Sequence, residues 1–431
     1  MKRLFASLAG LLCLAMTAQA QQTIYVCDGF GFDSYEIESL GDITFPVNDS
    51  IILGTDQFLV SDIDSITFTE PVFPKVLVQY NGNTATVTIP AEFTGVTCTS
   101  GNSSHVVLTN TNTTTEYLFS LTGSSTDGSF TIDGSYKMTL ELDGVELTSS
   151  KGAAIDIECG KRIDVLLKEG TTNTFADCAN GSQKGAFYTK GHLEFKGGGT
   201  LNLTGNTKHA LFAKEYIKLK GSVGTINILS AQGDGIHCGK ATKADYDQNY
   251  FQMNGGNVTI SNCVSDCIDS DDYGSVKIKG GTLNLNISGQ DVSGILCDSI
   301  FTQSGGTINI DITKQLSSGI HANYVCNFNG GTLNMNVLAD GCRGVRSKAC
   351  TKITDPVRNG GNINLNGTNV VMTISGQTLV AKSQACCGIK ADKVLTQTAG
   401  DVSATITSSA KAIVAATDNW TGGTRDGQEK P

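Results

Sequence analysis

The chain has 431 residues, with 31 basic against 41 acidic side chains for a formal charge of −10, and 39% of its residues are apolar. Fifty glycines beside only 6 prolines and 1 tryptophan exclude collagen and argue against a plain helical protein. The apolar fraction is enough for a core, and the acidic balance argues against a general nucleic-acid binder.

Residues 1–20 read as an export signal. Lys2 and Arg3 give a positive start, Leu4 to Met16 an apolar stretch too short for a stable anchor, and Ala18-Gln19-Ala20 a small-x-small cleavage site before Gln21. Cleavage there would leave 29 basic against 41 acidic groups, a balance of −12. Nothing later is apolar enough for membrane insertion. The expected location is therefore secreted, periplasmic or cell-surface, with attachment through surface partners left open.

Residues 21–71 form a small β segment with short alternating runs such as Ser65-Ile66-Thr67-Phe68. Residues 72–124 read as a β-rich cap, whose Ser/Thr/Asn-rich part is taken as loops. From about Phe130 the chain repeats itself. Gly-Gly-Thr-Leu-Asn-Leu at 198–203 returns in near copies at 255–260, 280–285, 305–310, 330–335 and 360–365. Asn257, Thr282, Thr307 and Thr332 are each 25 apart. A fixed period of this size means a stacked solenoid, and the apolar/polar alternation within each repeat is that of strands. The predicted architecture is all-β: a parallel β-helix with about three short strands per coil over 125–416, preceded by a small N-terminal β unit and followed by a tail at 417–431.

A second phrase fixes the columns. Phe187, Leu211, Ile236, Ile268, Ile295, Ile320, Val345 and Ile389 should point inward, together with the small residues two positions on, Thr189, Ala213, Cys238, Ser270, Cys297, Ala322, Ser347 and Ala391. Cys238 and Cys297 are then core fillers rather than disulfide partners; Cys386-Cys387 and Cys342/Cys350 stay open. The residue between these columns should face out, giving Tyr188, Phe212, His237, Asp269, Leu296, His321, Arg346 and Lys390. A neighbouring column reads Gly185, His209, Asp234, Asp266, Ser293, Ser318, Arg343 and Cys387.

Coils lie about 4.8 Å apart, so Asp234 and Asp266 become stacked neighbours beside Asp269, with Asp271 and Asp272 in the adjoining turn. Stacked carboxylates take up a proton or share a cation, and the hard cation suited to carboxylate oxygen is Ca2+. The alternative is a solvated acidic corner with splayed side chains. Three coils further on, Arg343, Arg346 and Lys348 reverse the sign. Together the two patches suit an acidic polysaccharide such as a uronate polymer, with His237, His321, Arg343, Arg346 and Lys348 as candidate glycan contacts; ordinary solvated surface charge is the competing reading. His237 and His321 are too far apart to share a zinc ion. Outward Thr200, Thr225, Thr282, Thr307 and Thr332 stack beside Asn202, Asn227, Asn284, Asn309, Asn334 and Asn364, a ladder read as structural rather than sugar-binding.

Several phrases occur together and in order: Asp143-Gly144-Val145, Gly152-Ala153-Ala154-Ile155, Gly160-Lys161-Arg162-Ile163-Asp164, Gly233-Asp234-Gly235-Ile236-His237 and the Gly-Gly-Thr series. In this the chain resembles, over roughly residues 124–345, a bacterial carbohydrate-binding β-helix family whose described members bind calcium and pectin-like polysaccharide. The resemblance implies a right-handed parallel β-helix, calcium at Asp-rich corners and non-catalytic glycan binding. The family's usual Asp-Asp-Gly-Ile is here Ser265-Asp266-Cys267-Ile268, and later coils carry Ser293-Gly294-Ile295 and Ser318-Gly319-Ile320, so fewer acidic corners survive.

Two rival functions remain. A β-helix polysaccharide lyase would use Arg346 or Lys348 as base, and a polygalacturonase-type hydrolase would use Asp266, Asp271 and Asp272. Against both, acids and base lie about three coils, roughly 14 Å, apart, and a Gly-His-Gly segment is missing. A surface adhesin or structural protein is the third reading.

Overall fold

The computed structural model describes residues 23–45, 49–53, 56–60, 63–239, 249–349, 360–379 and 384–427. The export segment at 1–20, the insertion near 240–248 and Cys350 lie outside them. The chain divides into two units, Met1–Pro74 and Lys75–Pro431.

In the first unit Thr23–Asp28 pairs antiparallel with both Gly31–Glu36 and Ser65–Thr67, and Ser50–Leu53 pairs antiparallel with Ile43–Thr44 and Asp56–Leu59. Its core is Ile24, Val26, Leu40, Ile51 and Leu53. Leu40 closes a four-residue helix, Ile37–Leu40, the one helix among the described residues.

The second unit is a parallel β-helix. One regular coil consists of Ser293–Cys297, Ile300–Gln303 and Thr307–Ile312. Each strand pairs in parallel with its counterpart one coil on: Ser318–Ala322, Val325–Phe328 and Thr332–Val337. Three parallel sheets therefore run along the solenoid. The first carries the inward columns expected from the sequence: Phe187, Leu211, Ile236, Ile268, Ile295, Ile320, Val345 and Ile389 are successive register partners, all fully buried. Pairing continues past the boundary read at 416, since Thr424–Asp426 pairs with Asp401–Ser403. Among the described residues no helix is long and apolar enough to cross a membrane, and each described cysteine, including Cys238 and Cys297, is a free thiol.

The paired glycines explain the period. Gly256, Gly281, Gly306 and Gly331 all have φ between 70° and 83°, a region costly for residues with a Cβ. They also stack: a Cβ on Gly281 would lie 2.4 Å from the Gly256 carbonyl oxygen, and one on Gly331 2.4 Å from that of Gly306. The corner thus needs glycine for conformation and for space.

One expected ladder is redrawn. On the third sheet Asn284, Asn309 and Asn334 stack and bond side chain to side chain at 2.8 Å, but Asn364 is not among them. It pairs with Asn327 on the second sheet, while Asn369–Ile374 takes the third-sheet place over Thr332–Val337. The phrase at 360–365 copies the wording of the others, yet it enters the coil one strand earlier. The amides in both ladders donate to each other, which leaves fewer donors for a ligand.

Gly281→Ala is expected to destabilise the protein by about 1–3 kcal/mol through strain and backbone collision. Gly221→Ala, at a turn where an added Cβ meets nothing within 4 Å, should stay within about 0.5 kcal/mol. Urea midpoints of the two variants check this.

Candidate functional site

The first sheet presents its outer edge in two columns. Successive register partners place Tyr188, Phe212, His237, Asp269, Leu296, His321, Arg346 and Lys390 in one of them. In the other, His209, Asp234 and Asp266 are linked coil to coil. The backbone N–H of Asp234 donates to His209 Nδ1 (3.1 Å) and that of Asp266 to Asp234 Oδ1 (3.0 Å). The backbone N–H of Ser293 then donates to Asp266 Oδ1. Each carboxylate thus caps the strand of the following coil.

His237 is the hub where the columns meet. Its Nδ1 is 2.9 Å from Asp234 Oδ2 and 3.3 Å from Asp269 Oδ2, and its Nε2 is 3.7 Å from Asp271 Oδ2. His209 Nδ1 lies 3.1 Å from Asp234 Oδ2, and its ring stacks on that of His237 with centroids 4.3 Å apart. Tyr188, Phe212 and His237 continue as a near-parallel stack, 5.3 Å per step. Their faces are spent on one another, so only edges are presented outward.

Electrostatics follow from burial and contact. Burial alone would push the Asp234 carboxyl up, but its close contact with His209 and its hydrogen bond from His237 outweigh it and hold the group well below the usual carboxylate range. Burial disfavours the His237 cation, yet bonds to Asp234 and Asp269 raise it to about 9, so it is an imidazolium at neutral pH. Asp266 is raised to about 7 by burial and by the charges of Asp234 and Asp269. Asp269 is raised to about 6 by burial and by Asp234, against its bond to His237. Burial lowers His209. The carboxylates outnumber the imidazolium, and the pocket's net negative charge grows as the pH rises past 7.

Two kinds of ligand set result. Asp234, Asp266 and Asp269 offer three oxygens within 4.8 Å of one another, and His209, Asp234 and His237 offer two nitrogens and an oxygen equally close. A third set is His237, Asp269 and Asp271. The residues fit a metal ion, and the chemistry favours the oxygen set. His209 Nδ1 already accepts the Asp234 N–H, and the His237 nitrogens carry protons. The three carboxylates suit a hard cation, whereas imidazole sets suit softer ones.

Of the metal-ligating candidates, the structure gathers Asp234, Asp266, Asp269 and Asp271; Asp272 belongs to none of the three sets among the described residues. His237, expected as a glycan contact, is 8% exposed and lies inside the acidic cluster. Arg343, Arg346 and Lys348 sit three coils beyond Asp269, about 14 Å away by coil spacing, and His321 two. His209 shares the column of Asp234, but its residue type alone does not mark it as a partner of Asp234. The signal was its place one coil below.

A parallel β-helix with a buried carboxylate cluster able to hold a metal ion on one long sheet is the class of protein that fold and site define. A family profile described as carbohydrate-binding domain-containing protein matches residues 102–428, and the chain belongs to that family. It is similar to a carbohydrate-binding domain-containing protein of Acetivibrio thermocellus, 24% identical over 114 residues, which is 24% of this chain and 40% of that protein. The match therefore spans less than half of the relative's length. A solved structure of a polysaccharide lyase-like protein from C. thermocellum, a gadolinium derivative, aligns at 13% identity over 82% of this chain and 100% of that one, with a TM-score of 0.32.

The raised groups give a pH dependence with a definite sign. Asp266 and Asp269 bind protons more tightly folded than unfolded, so their contribution is full below about 4 and lost as pH rises through about 6 and 7. His237 acts in the same sense, its contribution being lost through about 9. In chelated buffer, Asp266→Asn should shrink the fall in Tm between pH 5 and pH 8 by at least about 2 °C relative to wild type, as read by circular dichroism.

Proposed function

We propose that this protein is an exported, non-catalytic glycan binder that holds acidic, pectin-like polysaccharide with the help of Ca2+. The observation that carries the reading is the convergence of Asp234, Asp266 and Asp269, three buried carboxylates within 4.8 Å of one another on the outer edge of one sheet. Family membership supplies the carbohydrate. The cation would be held by these three side chains, with Asp271 nearby, and would supply positive charge that uronate carboxylates on the ligand can share.

The chain's own residues prepare this. Asp234 stays ionised because His237 and the backbone N–H of Asp266 donate to it, and His237 keeps Asp234 and Asp269 close together without a metal. Calcium entry would bring Asp266 and Asp269 to their charged forms, so binding should release protons and strengthen between pH 6 and pH 8. Export follows the segment 1–20, and a cell-surface partner would be met after its removal.

Cleavage is the second reading. The acidic cluster has a raised carboxyl group, as general acids do, but Arg346 and Lys348 lie three coils from it. One reacting centre cannot touch both at about 14 Å.

Affinity electrophoresis in gels containing polygalacturonate, pectin or neutral galactan tests the proposal. Retardation by the acidic polymers, abolished by chelator, supports it; equal mobility in all gels contradicts it. Asp266→Ala should weaken calcium binding at least about tenfold by calorimetry. Unsaturated products absorbing in the ultraviolet, or new reducing ends, would establish the lyase or hydrolase reading instead.

A further inference from the structure

The two columns that carry the acids change sign three coils on. Ser318, Arg343 and Cys387 follow one another in one column, and His321, Arg346 and Lys390 in the other. In the acidic coil the residues at these two positions, Asp234 and His237, meet at 2.9 Å. Arg343 and Arg346 occupy the same two positions, and after burial the charge of Arg346 is the largest influence on Arg343.

Among the described residues these cations lack acidic partners. Arg343 is 4% exposed. Arg343 Nε, Arg346 Nε and His321 Nε2 are all buried nitrogens with no hydrogen-bond partner. Neither guanidinium forms an ion pair among the described residues. The acid whose charge reaches them, Asp392, is engaged by Lys390 Nζ at 3.7 Å and by the backbone N–H of Ala349 at 3.3 Å. The side chain of Cys387, next in the column, is a buried thiol pushed up to about 12 by burial, and offers no charge. A buried guanidinium with unmade bonds is unfavourable by itself, and two side by side more so. Elsewhere on this solenoid the guanidinium groups have an acidic partner: Arg162 forms an ion pair with Asp164 at 3.1 Å and Arg425 with Asp418 at 2.6 Å.

We propose that Arg343, Arg346 and His321 form a metal-independent subsite for a single oxyanion group of a saccharide, the carboxylate of a uronic acid or a sulfate ester. Two adjacent guanidinium forks match the planar or trigonal oxygens of such a group and can bind it bidentately. His321, lowered to about 4 by burial and by Arg346, Lys348 and Arg343, is neutral and adds a ring nitrogen rather than a third repelling charge. The inference rests on the glycan-binding reading above and adds to it a contact that calcium does not mediate.

Calorimetry of the full chain in EDTA with galacturonate, galactose 6-sulfate and galactose tests it. Saturable binding of an anionic sugar and none of galactose is expected, and whichever of the two anions binds names the source. Arg346→Gln and Arg343→Gln should each weaken that binding at least about tenfold, with Lys279→Gln, at an exposed position outside both columns, changing it less than about twofold. Should Arg343→Gln fail to fold, Arg346→Gln, at a half-buried position, decides. Anionic sugars binding no better than galactose, or affinity unchanged in Arg346→Gln, overturns the subsite. Calcium-dependent retention by polygalacturonate can survive either result, so the two proposals fail separately.

Discussion

Everything in the solenoid depends on parallel strand pairing repeated in strict register from coil to coil. Backbone hydrogen bonds along three sheets hold each coil over the last, and side chains 25 residues apart in sequence then become neighbours about 4.8 Å apart. The glycine corners make this stacking tight, because Gly256, Gly281, Gly306 and Gly331 lie too close to the carbonyls beneath them for a Cβ. A one-residue slip would turn every buried Ile and Leu outward. The apolar columns therefore lock the register, and the register decides which polar side chains meet.

The meeting of like charges is the main electrostatic consequence. A ladder of acids on adjacent strands is unfavourable, and the molecule answers it in three ways. Backbone N–H groups of Asp266 and Ser293 donate to the carboxylates below. A protonated His237 sits between Asp234 and Asp269. The remaining imbalance appears as raised affinity for protons at Asp266 and Asp269. A site that holds protons this way is poised to exchange them for a cation, which ties the folding constraint to the proposed function.

Much of this was legible in the sequence because a strand has period two and the coil a nearly fixed length. The inward columns through Ile236, Ile268 and Ile295, and the adjacency of Asp234, Asp266 and Asp269, follow from counting. What counting missed has physical reasons. Asn364 sits in a phrase worded like the third-sheet strands but pairs on the second sheet, and wording carries no information about which face a strand joins. His209 and Asp234 were placed in one column, yet their hydrogen bonding depends on ring orientation. Strict alternation would send Asp234 inward with Ile236; the bend at the start of the strand turns it toward His237 instead, and no residue type announces that bend. The lack of partners for Arg343 among the described residues is equally invisible, since it depends on which acids other groups have already engaged.

The most direct measurement is a crystal structure of the protein grown with calcium. The account predicts a peak enclosed by carboxylate oxygens of Asp234, Asp266 and Asp269 at about 2.3–2.6 Å, with His237 turned along its edge. Asp234 and Asp266 on separate faces, or calcium bound only elsewhere, would contradict it.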